Sequence, residues 1–243
     1  MRGDILKKKL MVLCAVAIMI STCLTGCKMS SGKIRFGSAG IGGTYQIFGD
    51  TFANLISSKS KKYNIEVKTT AGSAANLRLL SKDYIQMAVA QMDLINDAYN
   101  RTGIFENDKK YQGYRAVASL YTEACQIVIP ADSDIQSVDD LEGKKVCIGE
   151  EESGTEQNAL QILNAYGLNE KLVDTVNLNY TDAAKKLKSG DIDAFFCTAG
   201  VQTTVINELS KQCKIRLVSL DQKGISRLKK SYKFYTEYTI PAG

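Results

Sequence analysis

Short runs of alternating or continuous apolar residues recur along the chain, and segments with helical spacing separate them. The first run covers residues 33–36, and the segment after it carries Phe48, Phe52, Leu55 and Ile56 on one helical face. Two more pairs of a strand-like and a helical segment follow before residue 101. Strands that alternate with helices in this way predict a parallel sheet with helices packed on its faces.

The same pattern predicts the individual elements. In the first part of the chain, strands are predicted over residues 33–36, 63–70 and 85–90. Helices are predicted over residues 74–82 and 94–100, in addition to the helix that carries Phe48 and Phe52 and ends near residues 57–62. Residues 101–113 are polar and predict a surface loop. Residues 114–121 and 123–130 predict two strands that carry the chain from one lobe to another. In the second part, strands are predicted over residues 145–149, 173–178, 192–198 and 215–220, and helices over residues 155–166, 181–188, 201–211 and 225–230.

This order of elements predicts an α/β protein with two lobes, each built on a doubly wound sheet, and a cleft between them. We expect the first lobe over residues 33–122, the second over residues 123–221, and a return toward the first lobe over residues 222–243. Open α/β sheets bind ligands beyond the carboxyl ends of their strands. The loops expected to face the cleft are residues 37–45, 71–73, 91–93, 150–156 and 198–200.

Residues 1–26 have the pattern of a bacterial lipoprotein signal peptide. Arg2 and three lysines precede an apolar run over residues 10–20, which is too short for an ordinary membrane-spanning helix. Leu24-Thr25-Gly26-Cys27 then resembles a lipobox, whose cysteine is lipidated and becomes the new N-terminus. We therefore expect lipidation at Cys27, a linker up to residue 32, and a folded part held by its lipid on the extracytoplasmic face of a bacterial cell membrane. An uncleaved membrane anchor is the alternative.

Composition and charge exclude several functions. The 243 residues include no histidine, which excludes a Ser-His-Asp or Cys-His nucleophile pair and a His-ligated metal site in this chain. Residues 1–26 carry four basic side chains against one acidic, so only +2 of the formal net charge of +5 falls on the rest. Without a dense basic stripe, nucleic-acid binding is not expected. The cysteines form no Cys-x-x-Cys pair, and Cys125, Cys147 and Cys197 lie in apolar strand patterns, so we expect buried thiols and neither a metal nor a cofactor.

Residues 37–45 form a glycine-rich turn between a strand and a helix, where backbone N–H groups and the helix dipole favour an anion. A nucleotide phosphate loop is disfavoured because Gly43 stands where that motif carries a lysine. A dinucleotide fingerprint is disfavoured because Tyr45 stands where it carries its third glycine. A tight turn that binds nothing is the alternative. Residues 150–156 repeat the arrangement of strand, glycine-containing turn and helix in the second lobe.

Gln91, Asp93 and Arg78 are three more polar candidates for ligand contact, and Asp93 and Arg78 each have a second interpretation. Gln91 and Asp93 directly follow an apolar strand, where Asp93 is either a ligand contact or a helix N-cap. Arg78 is either a partner for a ligand carboxylate or an exposed helical arginine. The sequence pattern alone leaves these alternatives open.

Seven stretches of the chain, taken together and in this order, match the motifs of one family. They are residues 40–45 (GIGGTY), 70–80 (TAGSAANLRLL), 91–93 (QMD), 149–156 (GEEESGTE), 161–168 (QILNAYGL), 191–200 (DIDAFFCTAG) and 234–243 (FYTEYTIPAG). They resemble the TAXI-type solute receptors of tripartite ATP-independent periplasmic (TRAP) transporters. The resemblance covers almost the whole chain after the signal segment.

The resemblance implies a two-lobed periplasmic-binding-protein fold of type II and a receptor that delivers a small organic solute to TRAP permease membrane subunits. The solute is expected to be acidic, either an amino acid such as glutamate or a dicarboxylate, and no catalysis is expected. By motif match, the ligand-binding residues are Gly42, Gly43, Thr44, Tyr45, Gln91, Asp93, Ser153, Gly154, Thr155, Thr198, Ala199 and Gly200.

The chain also departs from the family's pattern. Gln46, Ile47 and Met92 differ from the residues usual in those motifs, which leaves the identity of the ligand open. Family members continue beyond the segment that ends here at Gly243, so we expect a truncated first lobe with exposed apolar surface, marginal stability and weakened binding. Two alternatives stay open, namely a surface lipoprotein that acts through protein contacts alone and an enzyme on a similar scaffold.

Overall fold

The computed structural model describes residues 32–109 and 111–241 of the chain. The predicted signal peptide and the lipidation site at Cys27 lie outside the described residues. The described chain forms two α/β lobes, each with its own sheet, which confirms the predicted fold class. Among the described residues, no helix is both long enough and apolar enough to cross a membrane.

The first lobe is built on three parallel strands in the order β2-β1-β3. Its strands are β1 (Gly32–Gly37), β2 (Tyr63–Lys68) and β3 (Met87–Ala88), and its helices are α1 (Thr44–Lys59), α2 (Ser73–Ser81) and α3 (Met92–Asn100). In the register of the sheet, Phe36 of β1 lies between Val67 and Met87. Because the three strands run the same way and each leads into a helix, α1, α2 and α3 all begin at the same edge of the sheet.

The second lobe is built on five strands in the order β6-β5-β7-β4-β8. Its strands are β4 (Ala124–Pro130), β5 (Lys145–Gly149), β6 (Asp174–Asn177), β7 (Ala194–Ala199) and β8 (Ile215–Val218), and its helices are α4 (Gly154–Ala165), α5 (Tyr180–Ser189), α6 (Thr204–Gln212) and α7 (Gln222–Ser231). Strand β5 is parallel to β6 and β7, whereas β4 is antiparallel to β7 and β8. The carboxyl ends of β5 and β6 therefore lead into α4 and α5 at one edge of this sheet.

Helices cover both faces of the five-stranded sheet. In β7, Phe195 and Cys197 pack on one face in a cluster with α5 and α6, while Phe196 packs on the other face with α4. All three side chains are fully buried. Since successive side chains of a strand point to opposite faces, a strand buried on both faces needs a continuous apolar run. As predicted, the Cys147 and Cys197 thiols are free and buried in this core. The Cys125 thiol is also free, but Cys125 is only partly buried.

The first lobe buries less of its apolar surface. Phe36 packs against Phe48 and Phe52 of α1, with ring centroids 6.1 and 5.7 Å apart. However, only Tyr45 and Gly49 are buried among the 16 residues of α1. A separate cluster lies between α2 and α3. The core of this lobe is therefore divided into two small clusters.

The predicted strand over residues 114–121 was wrong, since these residues form no strand. No strand of the described chain pairs with this segment, so its apolar residues have no sheet face on which to be buried, and Val117 is 85% exposed. The segment is held near its ends, where Tyr114 donates a hydrogen bond to a backbone carbonyl of α3 and Tyr121 donates one to Glu123. Strand β3 is also shorter than predicted, with two residues.

The last helix packs against the second lobe. Leu228 of α7 is buried in the same cluster as Ile162 of α4. Beyond α7, the Tyr235 hydroxyl donates a hydrogen bond of 2.7 Å to Gln161 Oε1 of α4. The predicted lobe boundaries, including a return of residues 222–243 toward the first lobe, stay predictions.

Candidate functional site

Helix starts from both lobes meet at one small cavity. Helices α1, α2 and α3 of the first lobe and α4 and α5 of the second begin beside it, and residues at the ends of β4 and β7 complete its lining. Its volume is about 40 Å³, which is well below the roughly 300–1,000 Å³ of typical ligand pockets. The residues that line it are Ala39, Gly40, Gly43, Thr44, Tyr45, Ala71, Gly72, Ser73, Gln91, Glu123, Glu150, Ser153, Gly154, Thr155, Leu178, Asn179, Tyr180, Thr198 and Ala199.

The strand order explains why these parts of the chain meet. The carboxyl ends of the parallel strands in each lobe lead to the helices around the cavity. Because β4 runs against its neighbour, its first residue, Ala124, pairs with Ala199 at the end of β7. The residue before β4, Glu123, therefore reaches the same edge as the helix starts.

The helix starts of the first lobe have no side-chain cap. Gly43 precedes α1 and Gly72 precedes α2, and neither helix start has a capping hydrogen bond from a side chain. Gly72 has a φ angle of 128°, which residues with a Cβ rarely adopt. A helix start leaves its first four N–H groups without an acceptor inside the helix. Together with the helix dipole, these donors favour an anion in the cavity.

The helix starts of the second lobe are capped. Ser153 Oγ accepts a hydrogen bond of 3.0 Å from the backbone N–H of Glu156 at the start of α4. Asn179 Oδ1 accepts one of 2.9 Å from the backbone N–H of Asp182 at the start of α5. These bonds satisfy donors of the helix starts within the lobe itself.

A closed chain of hydrogen bonds joins α4, α5 and β7 beside the cavity. The backbone N–H of Thr198 donates to Thr155 Oγ1 at 3.4 Å, and the Tyr180 hydroxyl donates to the carbonyl of Thr198 at 2.9 Å. Since the Tyr180 proton is used in that bond, the Thr155 hydroxyl donates to the Tyr180 oxygen. Burial raises the pKa of Tyr180 well above its usual value. The tyrosine is therefore a neutral hydroxyl at any physiological pH.

Two residues that line the cavity each carry a buried polar atom without a normal partner among the described residues. Thr198 is 8% exposed, and apart from a weak contact with the Cys125 thiol its Oγ1 has no hydrogen-bond partner among the described residues. Gln91 Oε1 is buried and also has no partner there. A buried polar group without a partner is unfavourable by about 1–3 kcal/mol. A ligand that donates to Gln91 and accepts from Thr198 would remove this cost.

Glu123 is a partly buried carboxylate at the junction of the two lobes. Its Oε2 accepts a hydrogen bond of 3.0 Å from the Tyr45 hydroxyl, and its Oε1 accepts one of 3.4 Å from the Tyr121 hydroxyl. Burial raises the pKa of Glu123 to about 7, although the Tyr45 bond acts in the opposite direction. This carboxyl therefore changes its charge near neutral pH.

A second carboxylate, Glu150, faces the cavity from the loop after β5. Its Oε2 lies 2.1 Å from the position that a Cβ on Gly40 would take, so a larger residue at position 40 would displace this carboxylate. Burial and the nearby Asp182 raise the pKa of Glu150. Among the described residues that line the cavity, none is a lysine or an arginine. The side-chain charges around the cavity are therefore negative.

Direct contacts join the two lobes across the cleft. Gln91 Nε2 donates to Asn158 Oδ1 at 2.9 Å. A backbone bond of 3.2 Å runs from the N–H of Ala75 in α2 to the carbonyl of Glu152 before α4. Gln91 also packs directly over the start of α4, where a Cβ on Gly154 would lie 1.7 Å from its Oε1. The lobes are therefore in close contact around the cavity.

Arg78 lies outside the cavity and takes part in these contacts. It forms ion pairs with Glu152 at 2.7 Å and with Asp108 at 3.1 Å. Its guanidinium lies 4.9 Å from the ring centroid of Phe105. The interpretation of Arg78 as an exposed helical arginine is wrong, because these contacts hold its side chain between the lobes. Its role as a partner for a ligand carboxylate stays a prediction, and it does not line the cavity.

The structure brings most of the predicted site residues together. Those that line the cavity are Gly43, Thr44, Tyr45, Gln91, Ser153, Gly154, Thr155, Thr198 and Ala199. Gly42, Asp93 and Gly200 do not line it. Gly42 provides a positive φ of 91° in the turn before α1, and Asp93 Oδ1 accepts a hydrogen bond of 2.8 Å from Leu94 N in the first turn of α3. A role in ligand contact stays a prediction for all twelve residues.

Sequence reasoning missed several residues of the cavity lining. Asn179 and Tyr180 directly follow the predicted strand over residues 173–178. The rule that singled out residues 91–93 applies to them equally and would have found them. Glu123 gave a weaker signal, as an isolated acidic residue between two apolar segments. Its position depends on the antiparallel course of β4, which the pattern of apolar residues does not reveal.

Two α/β lobes that enclose a cavity at the carboxyl ends of their strands define the architecture of periplasmic solute-binding proteins. The chain belongs to the NMT1-like family, whose model matches residues 36–243.

Solved structures share this fold at low sequence identity. One is the alkanesulfonate-binding protein SsuA from Xanthomonas axonopodis pv. citri bound to MOPS, with a TM-score of 0.52 and 17% identity over 77% of this chain and 60% of that chain. Another is a binding protein component of an ABC phosphonate transporter from Pseudomonas aeruginosa, with a TM-score of 0.54 and 13% identity over 82% of this chain and 73% of that one. The arginine-bound form of truncated ArgBP from T. maritima matches with a TM-score of 0.52 and 14% identity over 82% and 93% of the two chains. The chain thus spans less than two thirds of the length of the SsuA chain.

Proposed function

We propose that the protein is a non-catalytic receptor that captures a small organic solute between its two lobes, either an amino acid such as glutamate or a dicarboxylate. The observation that carries this proposal is the cavity that is lined by helix starts of both lobes together with Thr155, Tyr180 and Thr198. At about 40 Å³ the cavity is smaller than such a solute. Capture therefore requires the lobes to separate and then to close around the ligand.

The shared fold supports the proposal. Proteins with this fold include the alkanesulfonate-binding and arginine-binding proteins, which are binding proteins by name. The direct contacts between the lobes also fit a receptor, because they provide a closed form that a ligand can stabilise. An enzyme would require turnover of the bound solute, and a surface lipoprotein that acts through protein contacts would bind no solute.

A thermal-shift screen of the purified chain with the standard amino acids and with C4 and C5 dicarboxylates tests the proposal. A solute at 100 times its Kd stabilises the folded state by about 2.7 kcal/mol, so a clear rise in Tm is expected. Calorimetry then gives the affinity. Tyr180→Phe, which removes a hydroxyl at the cavity, should weaken binding, whereas Tyr166→Phe outside the cavity is the matched control. If no solute in the panel raises Tm or produces heat, the surface-lipoprotein alternative is favoured.

We further infer that the receptor delivers its solute to a TRAP-type permease driven by an ion gradient. The seven motif stretches in their order support this partner. An ABC permease is the competing partner, because the phosphonate-binding neighbour belongs to an ABC transporter. The test is solute uptake by proteoliposomes that contain a TRAP-type permease from the same organism. Uptake that needs the receptor and a sodium gradient supports the TRAP route, while uptake that needs ATP and is blocked by vanadate contradicts it.

We also infer that Cys27 carries the lipid that holds the receptor on the extracytoplasmic face of the cell membrane. The basic segment, the apolar run and the lipobox support this anchor. Expression of Cys27→Ser in the native host should move the protein from the membrane fraction to the soluble fraction. Incorporation of labelled palmitate should be lost in the same variant. Unchanged labelling would rule out Cys27 as the lipidated residue.

A further inference from the structure

We propose that the solute is a zwitterion whose carboxylate binds at the helix starts of the first lobe and whose ammonium lies beside Glu123, so that the receptor selects an α-amino acid over a dicarboxylate. This inference rests on the proposed receptor function and narrows it, because the sequence left both classes of solute open.

The first lobe provides the site for the carboxylate. Gly43 and Gly72 line the cavity, and the helices that follow them have no side-chain cap, so backbone N–H groups remain available for a ligand. Thr198 lines the same cavity from the second lobe, and its hydroxyl has no normal hydrogen-bond partner among the described residues. These groups all donate, and a carboxylate oxygen is the acceptor that suits them.

Glu123 and Gln91 provide acceptors at the same cavity, beside the starts of α1 and α2. A carboxylate has about four lone-pair sites, and Glu123 uses three of them, for the hydroxyls of Tyr45 and Tyr121 and for the side-chain amide of Gln91. Gln91 Oε1 is buried, lines the same cavity and lacks any partner among the described residues. An ammonium group brings three donors. Glu123 and Gln91 can therefore accept two of its hydrogen bonds within one site.

The charge of the cavity lining decides between the two classes of solute. Glu123 and Glu150 both face the cavity, and no lysine or arginine among the described residues lines it. The uncapped helix starts compensate one carboxylate of a ligand, but a second carboxylate would meet these two glutamates without any cation. Like charges that are close together and buried repel strongly. An ammonium group in place of the second carboxylate is instead attracted by Glu123 and Glu150.

Matched pairs of ligands that differ only in the ammonium group test this selection. L-glutamate is compared with glutarate, and L-leucine with 4-methylpentanoate, after a screen of the standard amino acids has identified the best ligand and its own desamino analogue. Calorimetry is done at about pH 8, where Glu123 is mostly ionised. The amino acid should bind about 100-fold more tightly than its desamino analogue, because hydrogen bonds between charged groups are lost.

The possible outcomes distinguish a failure of the zwitterion assignment from a failure of the receptor function. Equal or tighter binding of a carboxylate without an ammonium overturns the zwitterion and leaves the receptor function intact. Absence of binding by every amino acid and every carboxylate overturns the receptor function as well.

Glu123→Gln tests the assigned residue directly. The amide keeps the size of the side chain and removes its charge, so amino-acid binding should weaken by about 10- to 100-fold, while the desamino analogue should bind no more weakly than before. Glu151→Gln is the matched control, because Glu151 is exposed and does not line the cavity. A well-folded Glu123→Gln protein with unchanged affinity for the amino acid contradicts the assignment.

The pH dependence of the wild-type protein decides the question without a variant. Between about pH 6 and about pH 8 the amino acid keeps its charges, so its binding should tighten as Glu123 ionises. Binding of a dicarboxylate should weaken over the same range. The other titratable groups that act on Glu123 or respond to it are Tyr45, Asp93, Tyr121, Cys125, Tyr180 and Cys197. Amino-acid affinity that falls as the pH rises contradicts the proposal.

Discussion

The two lobes bring opposite kinds of helix start to the same cavity. In the first lobe, Gly43 and Gly72 leave α1 and α2 without side-chain caps, whereas in the second lobe Ser153 and Asn179 cap α4 and α5. A capping side chain contributes about 0.5–2 kcal/mol relative to alanine. The second lobe thus uses its polar groups for its own stability, while the first leaves backbone donors of α1 and α2 open to a ligand, apart from the Ala75 N–H that donates to Glu152.

The second lobe also has the larger hydrophobic core. The second lobe has a sheet of five strands with large buried clusters on both faces, whereas the first has three strands and two small clusters. Buried apolar area is the main source of folding free energy. The comparison therefore assigns most of the stability to the second lobe and a large part of the ligand recognition to the first.

The largest expected effect compares phenylalanines of the two cores. Phe196→Ala removes a fully buried ring from the second lobe and should lower the free energy of unfolding by about 3–5 kcal/mol. Phe52→Ala removes a partly buried ring of α1, for which about 1–2 kcal/mol is expected. Urea unfolding of both variants measures the difference. Equal losses of unfolding free energy would contradict the comparison, because they would show that the two cores contribute equally to stability.

The next effect concerns Glu123, where the lobes join. Its pKa in the folded protein is about 7, above its ordinary value of 4.5, so the folded state holds the proton more tightly than the unfolded state. Stability from this group is therefore fully present below about pH 4.5 and is lost as the pH rises through about 7, by an amount on the order of 3 kcal/mol.

Glu123→Gln should remove this part of the pH dependence. Urea unfolding at several pH values measures it, and the variant should gain stability over the wild type as the pH rises. Some slope should remain in the variant, because the pKa values of Asp93 and Glu150 are also raised. Parallel curves for variant and wild type would show that Glu123 is not buried as described.

A smaller effect tests the caps of the second lobe. Ser153→Ala removes the oxygen that accepts the Glu156 N–H and should lower stability by about 1 kcal/mol. Ser153→Gly copies the helix start of the first lobe and should cost only about a few tenths of a kcal/mol. Thermal and urea unfolding of the two variants sharpen the comparison. A larger loss for glycine than for alanine would mean that the cap is not what Ser153 contributes.

The smallest stability effect is expected when the first lobe receives a cap. Gly43 has an extended conformation that serine can adopt, and an added Cβ would lie no closer than 3.4 Å to its neighbours. Gly43→Ser should stabilise the protein by about a few tenths of a kcal/mol and weaken solute binding, because the new hydroxyl occupies a backbone donor. Calorimetry with the best ligand from the screen measures the second effect. Tighter binding would show that the α1 donors do not face the ligand.

Much of the fold is predictable from the sequence for local reasons. The strands β5 and β7 stand out as apolar runs, and Gly167 and Gly190 mark the ends of α4 and α5. The loops around the cavity follow from the rule that ligands bind at the carboxyl ends of strands. These features depend on neighbouring residues, which a pattern along the chain can show.

The errors arise where distant parts of the chain decide the outcome. Residues 114–121 have the composition of a strand, but a strand also needs a partner, and no described strand lies beside them. Glu123 and Arg78 depend on contacts with the other lobe and with segments remote in sequence. Residue spacing carries no information about such contacts, so the sequence showed neither the partly buried carboxylate nor the ion pairs between the lobes.

The backbone bond from Ala75 to Glu152 has a consequence for measuring motion in solution. Its N–H belongs to the first lobe and its acceptor to the second, so separation of the lobes exposes this amide proton to solvent while each lobe stays folded. Local opening of this kind allows exchange with deuterium at a lower free energy than global unfolding. The exchange rate of the Ala75 amide therefore reports how often the cleft opens, and a captured solute should slow it.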